Sequence, residues 1–508
     1  MSRGRQPEPD PAAQAGQPYV VRVSARRKWA RRLGVLLAVA VVIGGVGAAA
    51  RWRIDVSDTC RNSGVTIVTK QGPDHQCVGI TDGSYAFAPR LAAVENLIKH
   101  EDNTVAKTGN YVSVAYLEPM TLGPDPLEPF AALLHGLEGA YAAQKYVNSH
   151  SIENNQYPLI RLLLVNDGAA AGEWLPAVHD IEADEASQRI VAVAGLGQSL
   201  STTAAAVRAL QRAGLPMVGA LITADSFSSI DGLIRVSPTN SDEAAGALSF
   251  VKPTAADTVL VENTNPDDSY STTLGSQFQR YFRTGPPLRD PQTYDSGLAT
   301  AVFTNQITQD AANVCQPGKK IVLFAGRGSQ LAILLRYLAN RSCSHRQLTI
   351  ITGDDASGIA GEPVVRTALN SGIKLYYTGL ASPSEWAKGT GAAMAAGRAA
   401  LGHLTAIFGK SFPGQTLNDG QATMAYDALL TATSAIRVTQ RQAPTPTAVK
   451  AGLSLLNGAD QVDGASGVLN FADNSGPGGS NPVGKAIPIL QIMPGGQIHF
   501  VKIAWPNG

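Results

Sequence analysis

Residues 189–225, RIVAVAGLGQSLSTTAAAVRALQRAGLPMVGALITAD, read as strand, glycine turn, helix and strand. Ile190–Ala194 is the short apolar run that a sheet covered on both faces requires. Gly195 and Gly197 let the backbone turn tightly. Ser199, Ser201 and Thr202 stand where a helix would begin, with hydroxyls able to cap its free N–H groups. The helix formers Ala204–Ala213 follow, and Gly214 closes them. Pro216 opens a second strand, Met217–Leu221, which runs on to Thr223. Two hydroxyl-bearing turns therefore lie side by side at the carboxyl ends of neighbouring parallel strands. Open α/β sheets bind ligands there, and a helix dipole favours an anion such as a carboxylate.

The same residues approach two enzyme signatures and complete neither. A dinucleotide fingerprint needs a third glycine where Leu200 stands, and no acidic residue clearly closes the next strand. Gly197-Gln-Ser199-Leu-Ser201 falls one residue short of the G-x-S-x-G nucleophile elbow. Read from the residues alone, each hydroxyl is also a plain helix cap.

At 508 residues, 44% hydrophobic and 16% charged, the chain can hold two or three domains with substantial cores. The net charge of +1 hides an asymmetry. Residues 1–53 hold ten of the 41 Lys/Arg and two of the 40 Asp/Glu, which leaves 31 basic and 38 acidic residues beyond them. An acidic body without a basic stripe argues against nucleic-acid binding. The basic excess precedes Leu33–Ala50, 18 uncharged residues flanked by Trp29 and Trp52. At about 1.5 Å per residue they nearly span a hydrocarbon core of about 30 Å. Five basic residues before the run, against Arg51 and Arg53 after it, place the N-terminus in the cytoplasm and the body outside. A cleaved signal peptide ending at Ala48-Ala49-Ala50 is the competing reading, but the long basic region and Arg51 directly after the cut favour an uncleaved anchor. Ser57-Asp58-Thr59 ahead of Cys60 argues against a lipidated cysteine.

The expected plan is a basic cytoplasmic tail over 1–32, a transmembrane helix over 33–50 and a small membrane-proximal segment over 51–110. One lobe then comprises 111–236 plus 377–463, and the other 237–376 plus 464–508. The four cysteines fall into local pairs, Cys60 with Cys77 and Cys315 with Cys343, without C-x-x-C spacing. In an exported body two disulfides are the natural reading, with free buried thiols the alternative. The eight histidines are scattered, and neither a metal site nor a cofactor is expected.

The device of residues 190–210 recurs. Lys320–Ala325 is an apolar strand running into Gly326-Arg-Gly328-Ser329 and a helix to Leu338. Strands at Tyr111–Leu117, Leu159–Val165, Leu233–Val236, Thr258–Val261 and Leu348–Thr352 alternate with helical stretches such as Phe130–Val147 and Ser241–Val251. Helices are also expected over Glu385–Phe408 and Gln421–Arg437, and a hairpin over Ile487–Val501 turning at Pro494-Gly495-Gly496. The fold class is α/β, with two doubly wound, Rossmann-like lobes facing one another.

Taken together the pattern resembles the type I periplasmic binding proteins, the Leu/Ile/Val- and amide-binding branch of the solute receptors of ABC importers, over roughly Tyr111–Val501. The resemblance rests on residues 189–225, on Leu233-Ile-Arg235-Val-Ser-Pro-Thr-Asn-Ser-Asp242, on Ala425-Tyr426-Asp427-Ala428, and on the Gly464–Phe471 turn, in that order. It implies a membrane-tethered extracellular receptor on the cell membrane that does no chemistry. Such a receptor closes by hinge motion on an amino acid or related small polar solute, with an ABC permease as partner. By position Ser199, Thr202 and Thr223 match the hydroxyls for a ligand carboxylate, and Leu221 donates through its backbone. Asp355, after Gly353, matches the acidic residue that takes the ammonium. Two residues depart from the family pattern. Arg327 stands where many members place an aromatic residue, and Tyr270 falls in the family's Tyr-Gly loop with Ser271 replacing the glycine. An arginine there either favours a second acidic group on the ligand or pairs internally with Asp355. A tethered sensor without a transport role and an exported α/β enzyme are the alternative functions.

Overall fold

The computed structural model describes residues 60, 66–123, 129–154, 156–288, 290–387, 391–438, 444–472 and 481–506. The expected tail and the apolar run 33–50 lie outside them. Among the described residues no helix is long and apolar enough to cross a membrane.

From Cys60 the chain builds one α/β lobe, crosses to a second, returns, and crosses again. The first lobe contains β1 (Ile67–Gln71), β2 (Gln76–Thr81), α1 (Ala92–Ala106), β3 (Tyr111–Glu118), α2 (Phe130–Asn154) and β4 (Leu159–Asn166). It continues with α3 (Trp174–Asp184), β5 (Ile190–Gly195), α4 (Ser201–Arg212), β6 (Met217–Gly219) and β7 (Leu233–Arg235). Its sheet runs β1-β2-β4-β3-β5-β6-β7. The five strands from β4 to β7 pair in parallel, while β1 and β2 form an antiparallel hairpin that joins the edge at β4.

The chain leaves after Arg235 and enters the second lobe at α5 (Asn240–Val251). There follow β8 (Thr258–Asn263), α6 (Ser269–Tyr281), β9 (Gln292–Tyr294), α7 (Thr300–Asn313), β10 (Ile321–Ala325), α8 (Gly328–Leu338), β11 (Leu348–Thr352), α9 (Pro363–Asn370) and β12 (Ile373–Thr378). It returns through α10 (Ala392–Ser411), α11 (Gln421–Val438) and α12 (Pro446–Leu453) to a small ribbon of β13 (Val462–Gly464) and β14 (Gly467–Leu469). A last crossing reaches β15 (Ile487–Ile492) and β16 (Ile498–Ala504), whose hairpin closes the second sheet in the order β16-β15-β12-β11-β10-β8-β9.

Counted by their appearance in the chain, the five parallel strands of each lobe have the same spatial order, 2-1-3-4-5. The repeat seen in the sequence is thus a repeat of topology, and in each lobe the order reverses between the first and third parallel strand. Loops after strands on either side of such a switch point diverge and leave a crevice. Each sheet is buried between two apolar layers, which explains the unbroken apolar strands. In the first lobe, Val114, Leu162 and Val218 face α2 and α11, while Ala115, Leu163 and Met217 face α3 and α4. Gly139 lets α2 approach α11 closely, because a Cβ there would stand 2.0 Å from the Ala422 carbonyl oxygen.

Two expectations are corrected. Residues 66–110 are not a separate spacer: β2 bonds to β4 from Gly79–Asn166 to Thr81–Leu164, and α1 packs on the same sheet. The helix expected from Glu385 starts at Ala392, because Glu385 and Trp386 are buried at the return crossover, where the indole Nε1 donates to Ala465 O at 2.8 Å. Both disulfides are present, Cys60–Cys77 and Cys315–Cys343, and neither leaves a free thiol among the described residues.

Candidate functional site

In the first lobe the chain leaves β5 through Gly195, Leu196 and Gly197, all with positive φ (89°, 74° and 63°). Glycine tolerates this region without the clash a side chain makes with its own backbone. The turn carries Ser199 away from the helix. The N-cap of α4 is Leu200, with no side-chain cap, so the expected capping role of Ser199 is not what the fold uses. Its hydroxyl oxygen instead accepts from the backbone N–H groups of Thr223 and Ala224, at 3.0 and 3.1 Å. One side chain thereby ties the turn after β5 to the turn after β6. Ser199 and Thr223 are both buried, Leu221 beside them is half-buried, and Thr202 donates to Ala170 O at 2.9 Å.

The corresponding turn of the second lobe is shorter. Gly326 and Arg327 link β10 directly to α8, which begins at Gly328, so Arg327 occupies the helix N-cap position with extended backbone. Its side chain is 2% exposed and points into the cleft. Nε donates to both carboxylate oxygens of Asp268 at 3.1 Å, and Nη2 donates to Asp268 Oδ1 at 2.6 Å. Nη1 reaches Asp355 Oδ1 at 3.4 Å, and the guanidinium lies 4.7 Å from the centre of the Tyr270 ring.

Asp355 is engaged on both oxygens as well. Gly328 N–H donates to its Oδ2 at 2.5 Å and Gln198 Nε2 to its Oδ1 at 3.2 Å. Gly328 must be glycine for this, since a Cβ would stand 2.6 Å from Asp355 O.

The two lobes touch through this set. Arg327 Nη2 donates to the Ser199 carbonyl oxygen at 3.1 Å, and Tyr270 N–H donates to the same oxygen at 3.2 Å. Ser201 N–H donates to Asp267 O at 3.0 Å, and Gln277 Nε2 to Asp225 Oδ2 at 3.0 Å. The structure therefore joins Ser199, Thr223, Tyr270, Arg327 and Asp355 in one place, with Thr202 and Leu221 at its margin. Asp268 completes the set and was not singled out from the sequence. Its one local signal is its position as the N-cap of α6, accepting from Ser271 N–H.

Burial alone would lower the guanidinium's proton affinity, but Asp268 and Asp355 more than offset it, so Arg327 stays charged. Burial raises the Asp355 carboxyl, and Arg327 opposes the shift. Behind them Asp354 is pushed up to about 7 by burial and by the Asp355 charge. Glu243, raised further by burial and by Asp354, accepts from Thr378 Oγ1 at 2.7 Å and from Asp354 N–H at 3.2 Å. One fixed guanidinium, and neighbouring carboxyls that hold their protons more tightly than usual, reduce the repulsion within this acidic patch.

Two cavities flank the Arg327–Asp355 pair. One of about 600 Å³ lies between Leu200, Ser201 and Thr202 of the first lobe and Asp268, Phe303 and Ile333 of the second. The other, about 200 Å³, lies between Pro129 and Gln421 on one side and Asp355 and Ile359 on the other. Among the described residues no three His, Cys, Asp or Glu side chains gather as a metal site.

The remaining motif residues belong to the crossovers. Arg235, 1% exposed, donates to Ile222 O, Ala224 O, Ser228 Oγ and Asn481 Oδ1. Asp242 completes a capping box with Thr239 at the start of α5. Asp427 accepts from Ala465 N–H, Ser466 N–H and the Ser466 hydroxyl, and Lys485 binds the same serine. These motifs mark how the crossovers are held, not what the cleft binds.

No protein-family model matches the sequence, and no curated protein matches it. The fold has many solved counterparts. A leucine-binding protein of Thermotoga maritima is 17% identical with a TM-score of 0.58, covering 78% of this chain and 99% of its own. A branched-chain amino acid transporter substrate-binding protein of Streptococcus pneumoniae, in complex with isoleucine, is 16% identical (TM-score 0.56; 78% and 100% covered). A branched-chain amino acid ABC transporter protein of Thermus thermophilus with bound valine is 14% identical (TM-score 0.54; 77% and 96% covered).

Proposed function

From a two-lobe α/β fold like that of type I periplasmic binding proteins, whose structural neighbours are solute-binding proteins and not enzymes, we propose that this chain is an extracytoplasmic, membrane-tethered solute-binding protein of an ABC importer. Its ligand is a small polar solute, an amino acid or a relative of one, taken up in the interlobe cleft. One observation carries the reading: two lobes of the same strand order meet at their switch points. There the Ser199–Thr223 turns of one face Asp355 of the other. Two disulfides support an oxidising compartment, and the basic-flanked apolar run at 33–50 supports the tether. A tethered sensor is the second reading, favoured by the internal neutralisation of Asp355.

The test is native mass spectrometry of the full-length chain, gently purified from its membrane fraction and titrated with amino acids, amides and dicarboxylates. A stoichiometric adduct with one class supports the reading. A chain that leaves the membrane fraction on alkaline washing removes the tether, and one that takes up no solute removes the receptor.

A further inference from the structure

The atoms that would recognise a ligand's ammonium group are already used. We propose that Arg327 is a resident occupant of the cleft: its guanidinium takes the place of a solute cation on Asp268 and Asp355, and holds the lobes closed with no solute bound. The seat is that of the solute-binding reading, and the inference rests on that reading for its location.

Both carboxylates already hold donors. Asp355 has both oxygens engaged, by Gly328 N–H on one and by Gln198 and Arg327 on the other. Asp268 takes three contacts from Arg327, together with Ser271 Oγ at 2.5 Å and Asn263 Nδ2 at 3.3 Å. The guanidinium is 2% exposed, and the carboxylate side chains are 6% and 9% exposed. Removing one partner from a buried ion pair leaves the other desolvated and unpaired, which is strongly unfavourable. A solute whose ammonium must reach Asp355 therefore competes with Arg327 for the same carboxylate. The guanidinium also bridges the lobes through the Ser199 carbonyl oxygen. Arg327 is thus a specificity-determining residue. It raises the threshold for zwitterions and makes closure independent of them.

Two interlobe backbone bonds report closure directly: Ser201 N–H to Asp267 O, and Tyr270 N–H to Ser199 O. Hydrogen exchange of the full-length protein without solute should find both amides slow. Arg327→Gly should speed both at least tenfold. Ethylguanidinium, the side-chain head that was removed, should slow them again in the variant and leave the wild type unchanged. Asp355→Asn in the Arg327→Gly background should weaken that rescue. Fast exchange of both amides in the solute-free wild type overturns the proposal, as does slow exchange persisting in Arg327→Gly. If Arg327→Gly does not fold, Arg327→Lys serves. Its ammonium lacks the fork that joins Asp268 to Ser199 O, so the two amides should accelerate, and an unchanged rate contradicts the latch. Leucine that binds the wild type as tightly as it binds Arg327→Gly would overturn the latch and keep the receptor. Slow amides in a protein that takes up no solute would keep the latch and remove the receptor.

Discussion

Arg327 Nη2 lies 3.1 Å from the carbonyl oxygen of Ser199, across the line where the two lobes meet. The residues are 128 apart in the chain, and each sits in the turn after the third parallel strand of its own lobe. The two halves of a repeated topology are joined at their equivalent turns by one buried cation.

Asp268→Ala should be among the most damaging single changes in the second lobe. It leaves the Arg327 guanidinium a single carboxylate, Asp355, at the longer distance of 3.4 Å. Breaking a buried pair from one side costs about 3–5 kcal/mol. Urea unfolding checks this, and a loss below about 1 kcal/mol would show that the pair is solvated in solution.

Ser199→Ala should destabilise the protein with no ligand present. The hydroxyl is the acceptor for the Thr223 and Ala224 amides, both buried. Leaving two buried N–H groups unpaired costs about 2–4 kcal/mol. A purely ligand-binding serine would leave the midpoint of unfolding unchanged.

Replacing Cys315 and Cys343 by alanine should lower stability by about 3–4 kcal/mol, the loop-entropy value for a bridge closing roughly this length of chain. The two cysteines are 28 residues apart. Denaturant unfolding of the double variant checks the magnitude, and an unchanged midpoint would mean the bridge does not form in the purified protein.

Stability should also fall as the pH rises from acid to mildly alkaline. Burial pushes Asp167 up to about 8 from the 3.8 of an unfolded chain, and its Oδ1 has no hydrogen-bond partner. A carboxyl raised in the folded state contributes fully below about pH 4, and its contribution is lost as the pH rises through about 8. The slope is at most about 1.4 kcal/mol per pH unit for this one proton. Asp167→Asn should flatten it between those limits, so parallel wild-type and variant profiles would contradict the assignment.

Much of the fold was legible because its strands are covered on both faces. Ile190–Ala194, Leu159–Val165 and Lys320–Ala325 stand out as apolar runs, and they are β5, β4 and β10 to within a residue or two. The hairpin β1–β2 falls inside the segment that reads as membrane-proximal, because nothing in residues 66–81 states that its edge would find Val165 and Asn166. β9 and β12 went unread: Gln292–Tyr294 is three residues long, and Ile373–Thr378 mixes exposed and buried positions.

In the site the types of residue were readable and their partners were not. Ser199 looks like a helix cap because its spacing is right for one, yet it bonds to a turn 24 residues away. The sequence allows Arg327 two fates, since the choice depends on Asp268, 59 residues distant and visible only once the lobes are folded.

A thermal-shift titration of the full-length protein with amino acids, amides and dicarboxylates, in wild type and Asp355→Asn, tests the cleft most directly. A solute held at 100 times its dissociation constant should add about 2.7 kcal/mol and raise the unfolding midpoint. The account predicts such a shift for one class of small polar solute, reduced in Asp355→Asn. No shift with any of them, or one that Asp355→Asn leaves intact, would contradict a solute seat between these lobes.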